Sequence, residues 1–304
     1  MSNKLNRIYI GAICNRDLEV FEQIKKFLSK NYNISIVNLY REGTETSIAK
    51  YIKKKLKKYP ISLIIIKLLS EDSNQVIYNA LDKIALKIPL LNSLKSVKTC
   101  ESRRETFRLI EQKCKKLKIP QPFHSTYAAY KACSNGKKII IKLDTHNIPN
   151  LPKNDRIIGI AKNSKQFKNL IKEHKESSLF FQEYLGKPDI IYKIYVIDRW
   201  AVSITSHNRL QLNENLSPLD LIHIRVPIEK QLKRRILRLG RTLRMPIFGI
   251  DYIINKDGEP YVVDVNDFPS FRSIPEAVSL ISDYIYNIIV TRLELLKVPA
   301  KVKG

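Results

Sequence analysis

Three oxygen-bearing side chains near the end of the chain invite a metal ion. The stretch YVVDVNDFPSF, residues 261–271, reads as a strand that stops at a proline. Alternation places Asp264 and Asn266 on one face and Val263 and Val265 on the other. Upstream, FGIDYIINKDGEPYVVDVND starts at Phe248, and Asp257-Gly258 signals a two-residue hairpin turn. Counting back from that turn pairs Lys256 with Glu259, Ile254 with Tyr261, Tyr252 with Val263 and Ile250 with Val265, an apolar face. The other face then pairs Ile253 with Val262, Asp251 with Asp264 and Gly249 with Asn266. Directly opposed carboxylates, with Cβ atoms roughly 5 Å apart, destabilise a bare sheet. A hard cation such as Mg²⁺ would offset that repulsion, because it prefers carboxylate and amide oxygens. Gly249 would leave open space beside Asn266. The alternative is that both aspartates face water and their pairing is incidental.

Two lysines raise a related question. Lys142 sits in the apolar run IIIKL and Lys193 in IIYKIYVI. Each either snorkels from a core strand or presents its ammonium to an anion in a cleft. Together with a paired-carboxylate metal site they fit a nucleotide site, in which ammonium groups neutralise phosphate oxygens. No GxxxxGK[ST] pattern occurs, so a Walker-type site is excluded.

The elements that must hold these residues fall into two styles. Residues 7–92 alternate strand and helix patterns: RIYIGAI (7–13), LEVFEQIKKFLSK (18–30), ISIVNLY (34–40), ETSIAKYIKKKLKKY (45–59), SLIIIKLL (62–69), SNQVIYNALDKIALK (73–87) and IPLLN (88–92). That order predicts a parallel sheet covered by helices. RRETFRLIEQKCKKLK (103–118) reads as a helix, closed by Pro120 and Pro122. Beyond residue 123 the pattern becomes strands with short connections: 137–144, 155–161, 179–185, 189–198 and 199–205. Helices are expected at 163–175, 229–244 and 275–297. The fold class is therefore α/β followed by α+β on antiparallel sheets.

The 304 residues suffice for two or three compact units, and 44 % hydrophobic content is ordinary for a globular protein. No apolar run has the length of a membrane span, and the N-terminus is too quickly charged for a signal peptide, so no membrane partner and a cytoplasmic location are expected. Cys14, Cys100, Cys114 and Cys133 lack zinc spacing, and the five histidines are scattered. The net charge of +25 has two readings: a polyanionic partner, or a solvated coat. The runs KKKLKK (53–58), KCKKLK (113–118) and KRRILRLGR (233–241) fall on helix-like segments with outward basic faces, which favours the coat. No RNA-recognition or zinc-finger signature supports nucleic acid as a partner.

At this point a resemblance becomes specific. FFQEYL followed by YKIYVID, then FGIDYI, then VVDVND looks like the ATP-grasp superfamily, in which two α+β lobes hold ATP between them. Within it the chain most resembles the inositol 1,3,4-trisphosphate 5/6-kinase family. IIIKLL (64–69) is similar to that family's lysine motif, with Lys67 in the lysine position, and CESRRETFRLI (100–110) to its helix start, with Arg103 as the matching arginine. The resemblance implies an N-terminal α/β domain at 1–98 and an ATP-grasp domain at 99–304, with lobes at about 123–186 and 187–297. It implies that Lys142 and Lys193 bind ATP phosphates, with Arg103 nearby. Gln182, Glu183, Tyr184 and Leu185 would form the hinge that reads adenine through backbone groups. Asp251, Asp264 and Asn266 would hold Mg²⁺, with Lys193 and Asp264 as the catalytic pair. Lys67, His146 and Arg272 are candidates to meet a small anionic acceptor such as an inositol phosphate.

The departures lie in the acceptor region. The loop KLDTHNIPN has His146 but no glycine, Ser270 replaces a frequent glycine, and only SHNRLQL (206–212) stands near the kinases' Arg-Pro-Ser segment. The short middle is more similar to the ribosomal-protein glutamate ligases. Three readings follow: an ATP- and Mg²⁺-dependent kinase acting on an anionic polyol, a carboxylate–amine ligase working through an acyl phosphate, and a basic nucleic-acid-binding protein without catalysis. The sequence sets no oligomeric state.

Overall fold

The computed structural model describes residues 7–41, 48–71, 74–151, 156–188, 190–207 and 222–297. Most of the SHNRLQL stretch lies outside the described residues. The chain forms two compact units, one of Met1–Leu68, Asp72–Leu94 and Ser270–Gly304, the other of Leu69–Glu71 and Lys95–Pro269.

The first unit holds the parallel sheet. Strands β1 (Ile8–Cys14), β2 (Ile34–Asn38), β3 (Ile61–Lys67) and β4 (Leu90–Leu91) lie in the order β2-β1-β3-β4. Helices α1 (Leu18–Tyr32), α2 (Ile48–Lys58) and α3 (Asn74–Ile84) connect them. The near-continuous apolar run of β3 suits a strand covered on both faces, and Leu63 to Ile66 are all buried. Helix α9 (Ala277–Lys297) joins this unit, although the sequence places it with the second domain. The Tyr286 ring stacks on Tyr32 at 4.3 Å and Asp283 accepts the Tyr32 hydroxyl, which ties α9 to the end of α1.

The second unit contains two antiparallel sheets. It begins with α4 (Leu94–Glu101) and α5 (Arg103–Lys113). The first sheet, in order β5-β8-β6-β7, is built from β5 (Pro122–Phe123), β6 (Ile139–Leu143), β7 (Ile157–Ala161) and β8 (Leu179–Glu183). Helices α6 (Thr126–Ser134) and α7 (Ser164–Ile171) close its core around Ile139, Ile141, Phe167 and Phe181. Sequence periodicity passes over α6 because its inward residues, Ala129 and Cys133, are small and give a weak apolar stripe.

The second sheet runs β11-β10-β9-β12-β13, from β9 (Ile190–Ile197), β10 (Trp200–His207), β11 (Arg225–Val226), β12 (Ile247–Ile254) and β13 (Pro260–Asp267). Helix α8 (Lys230–Leu243) covers it, burying Leu232, Ile236 and Leu239 against Ile194, Val196, Ile250 and Val265. Helix α5 ends at Lys113, five residues short of its expected end, and the chain turns back through Cys114 and Leu117 into the same core.

The β12–β13 hairpin corrects the counted register at one end and keeps it at the other. Gly249 faces Asn266, Ile250 faces Val265 and Asp251 faces Asp264, as the pattern requires. Toward the turn the pairs are Tyr252–Val262 and Ile253–Tyr261, one residue off. The turn itself has three residues rather than two. The Asn255 amide donates to the Glu259 carbonyl, the Asn255 side chain accepts from Asp257 N and Glu259 N, and only Gly258 has positive φ, at 78°. A bulge at Val263 absorbs the extra residue. Its effect on packing is a swap of faces: Val262 enters the core, and Val263 turns to the opposite side, beside Asp264.

Candidate functional site

Alternation and the bulge together build a cavity of about 160 Å³ between the two sheets of the second unit. On β6, Ile139 and Ile141 enter the core while Ile140 and Lys142 face the cavity. On β12, Ile250 and Tyr252 are core while Asp251 and Ile253 line the cavity. The lysine of IIIKL is therefore a cleft lysine, since strand geometry puts it opposite the core face.

Lys142 is 8 % exposed, and its ammonium donates to Gln182 Oε1 at 3.1 Å and to the Val263 carbonyl at 3.0 Å. That carbonyl belongs to the bulged residue, so the irregularity of β13 supplies a ligand to the lysine. Burial pushes the Lys142 pKa down to about 8, against a smaller upward pull from Asp264. Because an ammonium only donates, Gln182 must turn its oxygen to it, which leaves Gln182 Nε2 buried on the cavity wall with no hydrogen-bond partner among the described residues.

Lys193 on β9 is the register partner of Asp251 on β12 and reaches Asp251 Oδ2 at 3.3 Å. Arg103, the first residue of α5, lies 3.3 Å from Asp264 Oδ1 and donates to the carbonyls of Leu143 and Thr145. Its helix start is fixed locally. Ser102 caps the Glu105 amide and donates to Asp144, which also accepts from the Arg104 amide. Arg103 is 5 % exposed and Asp264 19 %. Burial alone would raise the Asp264 pKa, but Arg103, with Lys142 behind it, holds it well below the usual carboxylate range. The opposed carboxylates thus each have a counter-cation, and the repulsion inferred from the sequence is offset by Lys193 and Arg103 within the protein.

The donor set fits a hard cation. Asp251 and Asp264 are register partners and both line the cavity, and alternation puts Asn266 on the same face of β13. The space beside Gly249 is not open, however: a Cβ there would meet Pro269 Cγ at 3.0 Å. The glycine lets the proline ring pack on β12.

The expected hinge is engaged in part. The amides of Glu183 and Tyr184 donate to the carbonyls of Gln121 and Lys138, both at 2.8 Å. The Leu185 amide has no acceptor among the described residues, and Glu183 to Gly186 line the cavity. Arg156 lines it as well, next to Ile157. Sequence reasoning missed Arg156, since in a chain with 54 Lys and Arg residues a single arginine at a strand start carries no signal.

The three acceptor candidates separate. His146 is 1 % exposed and belongs to the second unit, with Nε2 3.4 Å from Asp264 Oδ1 and, among the described residues, no hydrogen bond at either ring nitrogen. Burial, then Arg103, pushes its pKa down to about 3, so the ring is neutral and the contact is not an ion pair at neutral pH. It packs against the carboxylate rather than presenting a charge to an acceptor. Lys67 and Arg272 meet in the first unit, where Lys67 Nζ lies 3.2 Å from Asp17 Oδ2 and Arg272 Nη2 3.2 Å from Asp17 Oδ1. Arg272 also pairs with Glu19. Lys67 is 2 % exposed, and burial, ahead of Arg16, pushes its pKa down to about 8. These two cations are already matched by carboxylates.

Solved structures share this arrangement of elements along nearly the whole chain. The D-alanine–D-alanine ligase of Bacillus anthracis in complex with ATP superposes with a TM-score of 0.68, covering 95 % of this chain and 99 % of its own at 13 % identity. The fold is ATP-grasp. The ATP-grasp RimK-domain protein of Sphaerobacter thermophilus matches 93 % of the chain and 99 % of its own, with a TM-score of 0.62 at 12 % identity. No protein-family model matches. By sequence, the inositol-tetrakisphosphate 1-kinase of Xenopus laevis is 24 % identical over 133 residues, 36 % of this chain. That of Danio rerio is 25 % identical over 134. The match spans about a third, 34 %, of the length of these curated relatives. Among the described residues no helix is long and apolar enough to cross a membrane.

Proposed function

We propose that the chain is an ATP-dependent enzyme of ATP-grasp type that transfers the γ-phosphoryl group to a small anionic polyol, an inositol phosphate being the leading candidate. One observation carries the nucleotide part. Lys142, Arg103 and the Asp251/Asp264 pair converge on a single cavity that also holds the Leu185 amide and the unpartnered Gln182 Nε2. Ile140, Ile157, Ile191 and Ile253 offer apolar walls to a planar base, and the Leu185 amide and Gln182 Nε2 offer donors to its ring nitrogens. On this reading Lys142 and Arg103, which line the cavity, and Lys193, which pairs with Asp251, would neutralise phosphate oxygens. Asp251, Asp264 and Asn266 would hold Mg²⁺, which when bound supplies charge neutralisation to the polyphosphate. The buried neutral ring of His146 and the Arg103 guanidinium keep the Asp264 carboxylate in place.

In the transfer itself, the acceptor hydroxyl oxygen bonds to the γ-phosphorus as the bond to the β–γ bridging oxygen breaks, ADP departs and the hydroxyl proton is released to solvent. The choice of a hydroxyl acceptor rests on the local identity to inositol-tetrakisphosphate 1-kinases. A second reading, a carboxylate–amine ligase, is favoured by the whole-chain likeness to ligases, including PsnB with a minimal precursor at a TM-score of 0.62. Both readings share the nucleotide chemistry and differ in the atom that attacks.

The test is acceptor-dependent ADP release with Mg²⁺. Inositol phosphates alone are expected to stimulate release. If release instead requires a carboxylate and an amine together, the ligase reading replaces the kinase. If no acceptor pool stimulates it and Mg·ATP does not bind, the nucleotide reading fails.

A further inference from the structure

Two basic runs that are far apart in the sequence meet in one groove of the second unit. Lys113, Lys115 and Lys116, at the end of α5 and in the turn after it, form one wall. Arg234, Arg235 and Arg238 of α8 form the other. The groove holds about 560 Å³, and among the described residues no carboxylate lines it. Two acidic residues beside these segments in the sequence have other partners: Glu111 pairs with His124 at 2.7 Å, and Glu229 caps the amides of Gln231 and Leu232 while also facing the charge of Arg235 and Arg234.

The second wall separates these residues from a solvated coat. Arg234 and Arg235 lie one turn beyond the Glu229 N-cap of α8, whose carboxylate offsets part of their charge, and Arg235 donates to Gln231 Oε1 at 3.1 Å. The α2 lysines make the contrast. Lys50, Lys53, Lys54, Lys57 and Lys58 also cluster, but on a single helix, without a second wall.

We infer that the α5–α8 groove binds a compact polyphosphate, a molecule carrying several phosphate groups close together, at a site separate from the nucleotide cavity. Two facing rows of cations can contact phosphates from both sides, and arginine forks bind phosphate oxygens in pairs. The volume suits a small ligand. Among the described residues no aromatic side chain lines the groove, so they offer no stacking platform of the kind that single-stranded nucleic acid uses. A concave site between two walls does not fit a flat membrane surface. The inference does not depend on the identity of the acceptor.

The probe is inorganic tripolyphosphate, titrated calorimetrically into the full chain saturated with Mg·ADP, at about 0.15 M salt to screen diffuse attraction. One additional site is expected. Reversing Arg234, Arg235 and Arg238 to Glu should weaken it by about 100-fold or more. Reversing Lys53, Lys54 and Lys57 to Glu makes the same change in net charge and should alter affinity by less than about threefold. Should the arginine variant fail to fold, Lys113→Glu with Lys116→Glu reads the opposite wall. No binding by wild type, equal losses from both helices, or tighter binding of a polyuridylate or polyglutamate competitor would overturn the proposal.

Discussion

Asp264→Asn is expected to lower both turnover and stability. Its carboxylate compensates Arg103, which is 5 % exposed and held by two backbone carbonyls. Neutralising the aspartate leaves a buried cation without its partner, so the unfolding free energy should fall by about 3 kcal/mol. Loss of a charge that positions the reacting phosphates should reduce turnover by about 10²- to 10³-fold. The sequence alone suggests the opposite sign for stability, because it shows two like charges facing each other and neither cation that matches them. A double-mutant cycle separates the explanations. With Arg103→Met already present, Asp264→Asn should cost much less, whereas an unchanged cost would contradict the pairing. The pH dependence has a definite sign. The Asp264 pKa is depressed in the fold below its ordinary 3.8, so its stabilisation is fully present above that value. It is lost as pH falls further, and Asp264→Asn should remove that part of acid unfolding.

Lys142 makes the second large prediction, because its two pH trends run in opposite directions. A lysine with a pKa of about 8 is protonated at pH 7 and can bind a phosphate. Above pH 8, ATP affinity should fall by up to about tenfold per pH unit, with proton uptake on binding. Stability without nucleotide should rise over the range from about 8 to the ordinary 10.5, because there the unfolded chain binds more protons than the folded one. The slope is about 1.4 kcal/mol per pH unit. Lys67, also near 8, adds to the same slope. Lys142→Met should weaken ATP binding at pH 7 by about 10²-fold or more, abolish its alkaline decline and remove its share of the stability slope. Calorimetric titration and urea unfolding across pH 7–10 read all three, and an unchanged affinity profile in the variant would contradict the role of Lys142.

The two-part architecture and the site strands were legible because the patterns are strong. Parallel-sheet runs such as SLIIIKLL are continuous and apolar, and IIIKL and VVDVND show polar residues at strand period. The facing of Asp251 and Asp264 was recovered even though the turn was misread. The bulge at Val263 cancels the extra turn residue, so the error and its correction both lie on the turn side of the aspartates. What the sequence hid was tertiary. The Val263 carbonyl that holds Lys142 exists only because of that bulge, and the Arg103–Asp264 pair joins residues 161 positions apart. His146 is an acceptor candidate in the sequence, and only the fold shows it buried beside the Asp264 carboxylate. Lys67 and Arg272 are acceptor candidates in the sequence, and only the fold shows that Asp17 pairs with both. The basic runs at 113–118 and 233–241 each read as a coat, and only folding places them in one groove.

The most direct test of the kinase reading follows the label from [γ-³²P]ATP in the presence of Mg²⁺ and a panel of inositol phosphates. The account predicts that radioactivity moves from ATP into an organic product heavier than the acceptor by one phosphoryl group. Label released only as inorganic phosphate, with an amide formed when a carboxylate and an amine are supplied, would contradict it and assign the same nucleotide site to a ligase.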